Sequence, residues 1–137
     1  MSIGDMINGA LLEKVLAAPR SGKRRLVALA GPPASGKSTL AETLCEKLNA
    51  AGCKTQVVPM DGFHLDNSIL IERGLLPRKG APETFDAEGF ASLIARIKNT
   101  SEVFYPTFDR TRDIAVAGTG FVPKDCDTVV VEGNYLL

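Results

Sequence analysis

Apolar residues recur at helical spacing over 5–18, with Ile7, Leu11 and Val15 on one line and Leu12 and Leu16 beside it, until Pro19-Arg20-Ser21-Gly22 breaks the pattern. An N-terminal helix is predicted. Residues 26–30 then form a short continuous apolar run, read as a strand, and 38–51 return to helical spacing with Leu40, Leu44 and Leu48 as the stripe and Gly52 as the stop. Thr55-Gln56-Val57-Val58-Pro59 reads as a second short strand. Strand, helix, strand is the parallel crossover unit.

Beyond Asp61 the periodicity weakens. Residues 64–73 fit a short helix, and 74–84 have the Pro, Gly and charge content of a loop long enough to suggest function. Asp86 suits the N-cap of a helix running to Asn99, with Phe90, Leu93, Ile94 and Ile97 on one face. Short strands are predicted at 102–105 and 115–121, flanking the polar turn 109–113. Thr128-Val129-Val130-Val131 is the β-branched run of a central parallel strand covered on both faces. The expected class is α/β, a parallel sheet with helices on both faces.

One loop in this order carries chemistry. Gly31-Pro32-Pro33-Ala34-Ser35-Gly36-Lys37-Ser38 fits the phosphate-cradling pattern G-x-x-x-x-G-K-[ST] and lies between the first predicted strand and the following helix. Its glycines allow backbone N–H groups to face phosphate oxygens, Lys37 to reach the β- and γ-phosphates, and the Ser38 hydroxyl to ligand Mg²⁺. The expected cofactor-binding set is Gly31, Ala34, Ser35, Gly36, Lys37, Ser38 and Thr39, with ATP and Mg²⁺ as the ligands. Two glycines with Lys and Ser at this spacing arise by chance in about one chain of this size in a few hundred.

With 137 residues, 45% of them hydrophobic and 23% charged, the chain is ordinary for a soluble domain, and 1–137 are read as one domain or part of one. Sixteen basic residues balance sixteen acidic ones with no basic and aromatic stripe, which argues against a nucleic-acid partner, and the run Arg20 to Arg25 reads as a solvated linker. No membrane-length apolar run or signal pattern is present in the sequence, so a cytoplasmic location is expected. Cys45, Cys53 and Cys126 are odd in number and widely spaced, and suggest neither a disulfide framework nor a zinc site.

In open parallel sheets ligands bind beyond the carboxyl ends of the strands. The phosphate loop, Asp61 and Glu132 all fall at such ends. Asp61 is the candidate to orient an acceptor hydroxyl and take its proton, and Glu132 to hold a Mg²⁺ water or the substrate. With Lys37 they form the expected catalytic set, and Ser38 and Glu132 the metal set.

Four segments carry a family resemblance. Gly-Pro-Pro-Ala-Ser-Gly-Lys-Ser-Thr at 31–39, Val-Pro-Met-Asp-Gly-Phe-His at 58–64, Arg-Lys-Gly-Ala-Pro-Glu-Thr-Phe-Asp at 78–86 and Val-Val-Glu-Gly-Asn-Tyr-Leu-Leu at 130–137 resemble the uridine kinase, phosphoribulokinase and bacterial pantothenate kinase group. The likeness is strongest to the pantothenate-kinase-like branch that includes fructose transport system kinases. It implies a P-loop kinase that phosphorylates a hydroxyl of a small molecule, with Asp61 as the catalytic carboxylate and 78–86 lining the acceptor pocket. Asp61, His64, Arg78, Lys79, Tyr105 and Arg110 are the candidate acceptor contacts, although 105–110 only loosely echo the tyrosine-bearing segment of uridine kinases, a departure from that branch. The resemblance also implies that strands 55–59, 128–137 and 26–30 lie side by side in that order, leaving the phosphate-loop strand as an edge. The family's further strands and arginine-bearing lid are absent from this sequence, so a fragment is expected, one that self-associates or needs its remaining half. A nucleotide-binding ATPase or switch, or a catalytically silent domain, is the alternative reading.

Overall fold

The computed structural model describes residues 13–17, 22–30 and 37–134, with Lys37 and Ser38 as backbone only. Helical residues 13–17 (α1) precede strand β1, Arg25–Ala30, and the elements that follow are α2 (Lys37–Ala50), β2 (Thr55–Pro59), α3 (Asn67–Glu72), α4 (Ala87–Asn99), β3 (Val103–Asp109), β4 (Ile114–Val122) and β5 (Thr128–Gly133). The rest of the predicted N-terminal helix lies outside the described residues.

The valine run of β5 forms the centre of a three-stranded parallel sheet, between β1 and β2. Val130 pairs in register with Val27 on one side and Val57 on the other. Because side chains alternate along a strand, Val130, Val27, Leu29 and Val57 pack against α1 and α2 through Val15, Ala41, Leu44 and Leu48. Val129, Val131 and Val58 face the other way, onto Phe90, Leu93 and Ile97 of α4. The sheet is thus covered on both faces, in the strand order that the resemblance implies. Strand β1 is one of its two edges, and Ala28 and Ala30 there are exposed.

Local signals account for the helix ends. Gly52, at φ +90°, adopts the left-handed conformation beyond α2, and Cys53 N–H returns to the Leu48 carbonyl at 2.9 Å. The Asp86 carboxylate accepts from Gly89 N–H at 2.9 Å and caps α4 as predicted. Asp66 caps α3 through Ser68 N–H, so that helix starts later than the predicted 64, and residues 60–63 form a separate 3-10 turn. Strands β3 and β4 extend beyond their predicted ends and form a two-stranded antiparallel ribbon, with a bulge between Tyr105 and Thr107 that accommodates Pro106.

The expectation of a solvated linker at Arg20 to Arg25 is corrected at Arg24, which is 1% exposed. Its Nε donates to the Cys126 carbonyl at 3.0 Å, Nη1 to the Ile97 and Thr100 carbonyls at 2.8 and 2.7 Å, and Nη2 to the Pro123 carbonyl at 2.9 Å and to that of Ser101. All five guanidinium N–H donors are used. They tie the C-terminal end of α4 to the turn that feeds β5, and the charge complements the carbonyl end of the helix.

Candidate functional site

The parallel register sets Leu29, Glu132 and Pro59 side by side, so three strands end on one rim. Beyond β1 come residues 31–36 and then the start of α2, beyond β2 comes Asp61, and the half-buried Glu132 lies on β5 itself. Gly31, Ala34, Ser35 and Gly36 lie outside the described residues. The first turn of α2, which includes Lys37, Ser38 and Thr39, holds no acidic residue, so nothing there offsets the positive end of the helix dipole toward an anion. A serine at the start of α2 and the Glu132 carboxylate are donors of the kind that suit Mg²⁺, a cation that keeps several waters and takes few protein ligands. Among the described residues no cluster of three or more His, Cys, Asp or Glu makes a dedicated metal cage.

Asp61 sits in the 3-10 turn Met60–Phe63 directly after β2, with its side chain about one-third exposed at 31%. Four contacts hold this turn. Phe63 packs edge-on against Phe90 with ring centroids 5.2 Å apart, and His64 Nδ1 lies 2.6 Å from the Asp61 carbonyl oxygen. The loop after α3 folds back, Leu65 N–H donating to Thr84 O at 2.9 Å and Asp86 N–H to Phe63 O at 2.7 Å. Gly62 allows β3 to cross closely, since a Cβ there would stand 2.1 Å from the Pro106 carbonyl oxygen. Gly62→Ala is therefore expected to lower stability by about 1–3 kcal/mol, read as a lower urea midpoint, because both contacting groups are backbone and neither can yield cheaply.

The basic candidates divide by partner. Arg110 Nη2 is 3.7 Å from Asp61 Oδ2 and 86% exposed, the one expected acceptor contact that the structure brings to the Asp61 carboxylate. Arg78 pairs with Glu83 inside its own loop at 2.8 Å. Lys79 reaches Asp113 Oδ1 at 2.9 Å and Asn67 Oδ1 at 2.7 Å, and its ammonium lies 5.2 Å from the Phe108 ring centroid. Hydrogen bonds from Lys79 and then Asn67 hold the Asp113 carboxyl below its ordinary range, and Asp113 itself occupies the left-handed region at φ 58°. The Arg112 guanidinium lowers the Asp109 carboxyl in the same way.

Tyr105 is corrected from an acceptor contact to a core residue. It is 6% exposed, its hydroxyl accepts from Gln56 Nε2 at 2.9 Å, and burial pushes its pKa upward. The bulge at Pro106 separates it from the Thr107–Asp109 end of β3, which approaches the Asp61 turn. The rings of Phe85, within the expected acceptor-lining stretch 78–86, and of Phe108 flank His64 at centroid distances of 4.2 and 4.7 Å, a stack that sequence reasoning missed. No spacing rule reveals that stack, since its three members come from separate segments.

The fold, with the phosphate-loop sequence between β1 and α2, is that of the P-loop kinases. The chain is 31% identical over 131 residues to a pantothenate kinase from Hamiltonella defensa, covering 93% of the chain and 42% of that relative. It is 38% identical over 124 residues to a Schizosaccharomyces pombe protein provisionally assigned as a uridine kinase, covering 84% of the chain and 52% of that relative. A solved structure from Silicibacter sp. TM1040, provisionally assigned as a fructose transport system kinase, is 53% identical with a TM-score of 0.89 over 100% of the chain and 65% of the other. The chain is thus a homologue of the uridine kinase and pantothenate kinase group, as its motifs imply, and spans about half the length of these curated relatives. A family profile, Methylmalonyl Co-A mutase-associated GTPase MeaB, matches residues 6–70, the stretch that contains the phosphate loop. Among the described residues no helix is long and apolar enough to cross a membrane.

Proposed function

We propose that the chain forms the nucleotide-binding and acceptor-orienting part of an ATP-dependent kinase acting on a hydroxyl of a sugar, pantothenate-like or nucleoside-like compound. The observation that carries this reading is the common rim on which β1, β5 and β2 end, with Glu132 on β5, Asp61 just beyond β2 and the phosphate-loop sequence following β1 in the chain. MgATP supplies the transferable γ-phosphoryl group and the cation that neutralises charge on it. Lys37 and the N–H groups of the phosphate loop hold the phosphates, and Ser38 and Glu132 hold the cation. Asp61 accepts a hydrogen bond from the acceptor hydroxyl. A carboxylate is too weak a base to remove that proton beforehand, but it orients the oxygen and takes the proton late in a loose transition state. The exposed Arg110 contact costs about 0–1 kcal/mol to break, so an incoming hydroxyl can displace it.

Lys37→Ala is expected to leave the thermal transition of the free protein unchanged and to cut turnover by about 10²–10³, because one preorganised charge leaves a site that works by electrostatic stabilisation. Excess MgATP at 100 times its Kd should add about 2.7 kcal/mol of stability to the parent, and much less to the variant at the same concentration. Unchanged ATP-dependent turnover in Lys37→Ala would refute the assignment.

A further inference from the structure

His64 is the single histidine of the chain. The atom 2.6 Å from its Nδ1 is a backbone carbonyl oxygen, that of Asp61, which accepts hydrogen bonds and cannot donate them. The proton of the neutral ring therefore sits on Nδ1, and Nε2 carries the lone pair. Free histidine in water favours the opposite tautomer, so this arrangement is imposed by the fold.

The ring has little freedom to turn away. Phe85 lies against it at 4.2 Å with an interplanar angle of 41°, and Phe108 at 4.7 Å with 34°. Phe85 is brought there by the antiparallel bridge between residues 64 and 85, and Phe108 by the ribbon of β3 and β4. Lys79 over Phe108 is itself tied to Asn67 and Asp113, which links the ribbon's turn to the same stack. Two segments distant in sequence thus converge on the imidazole of a third, and that imidazole grips the peptide unit of Asp61.

We propose that His64 is the positioning residue of the kinase site: held between Phe85 and Phe108, it donates from Nδ1 to the Asp61 carbonyl and so fixes where the Asp61 carboxylate meets the acceptor hydroxyl. The proposal rests on the reading of Asp61 given above. A misplacement of about 1 Å at a reacting group costs as much as a hundredfold in rate, so one peptide-orienting bond has leverage on turnover.

The test has a spectroscopic and a kinetic arm. Nitrogen-15 NMR of the lone histidine ring in the ligand-free protein, at a pH where the ring is neutral, should show Nδ1 protonated and Nε2 bare. A ring protonated on Nε2 would overturn the proposal. In the kinetic arm His64→Phe keeps an aromatic ring but loses the donor, whereas His64→Asn places an amide N–H where Nδ1 stood. His64→Phe should lower acceptor-dependent kcat by about tenfold to a hundredfold with the KM for MgATP unchanged, and His64→Asn should recover most of that loss. Full turnover in His64→Phe, or equal losses in the two variants, would overturn it. Transfer retained by Asp61→Asn would remove the underlying reading of Asp61 while leaving the tautomer result intact, so the two failures are distinguishable.

Discussion

Asp61→Asn is expected to bind MgATP as the parent does and to lose acceptor phosphorylation by a factor of about 10²–10⁴. The amide keeps the shape of the carboxylate and can still hydrogen-bond a hydroxyl, but it cannot take the proton. The fold should survive, because Asp61 is about one-third exposed at 31% and its carboxylate meets Arg110 at 3.7 Å, a weak contact. The backbone bond from His64 to residue 61 does not involve the carboxylate and persists in the variant. Titration with MgATP and single-turnover transfer separate the two effects. Loss of nucleotide affinity with transfer retained at saturating MgATP would move Asp61 to the metal site and refute the assignment.

Arg24→Met is expected to lower the unfolding free energy by about 3–5 kcal/mol, a large share of the roughly 5–15 kcal/mol that a domain holds. The guanidinium of this 1% exposed residue donates to five backbone carbonyls, and methionine fills part of the volume while leaving those acceptors without a donor. Arg24→Lys should recover only part of the loss, since a compact ammonium cannot span a fork of carbonyls. Urea unfolding of the three proteins checks this. A loss below about 1 kcal/mol for Arg24→Met would mean that water replaces the clamp readily.

The parallel sheet and its two helical layers were legible because β5, α2 and α4 carry their own periodicity. The run from Thr128 to Val131 is β-branched at every position, which marks a strand buried on both sides. Asp86 was legible as a cap because its partner, Gly89, is three residues away. Asp61 and Glu132 were legible as a pair on one rim because parallel strands end together. Arg24 was not, because a cation within a run of polar and basic residues reads as solvated, and its carbonyl partners lie 73 to 102 residues downstream. Tyr105 was misplaced for a related reason: the bulge at Pro106 changes which way the chain presents its side chains, and a motif match does not register that shift. The His64 stack was invisible because it depends on where the 74–85 loop and the ribbon come to rest.

The proposed kinase activity is most directly tested by following ADP release from saturating MgATP with and without a panel of small hydroxyl compounds, using a full-length protein that carries this chain and its Asp61→Asn variant in parallel. The predicted result is release that requires one of the compounds, matches phosphorylated product one for one, and disappears in the variant. ADP released at the same rate without any acceptor, in the parent and the variant alike, would contradict it and identify a nucleotide hydrolase in place of a kinase.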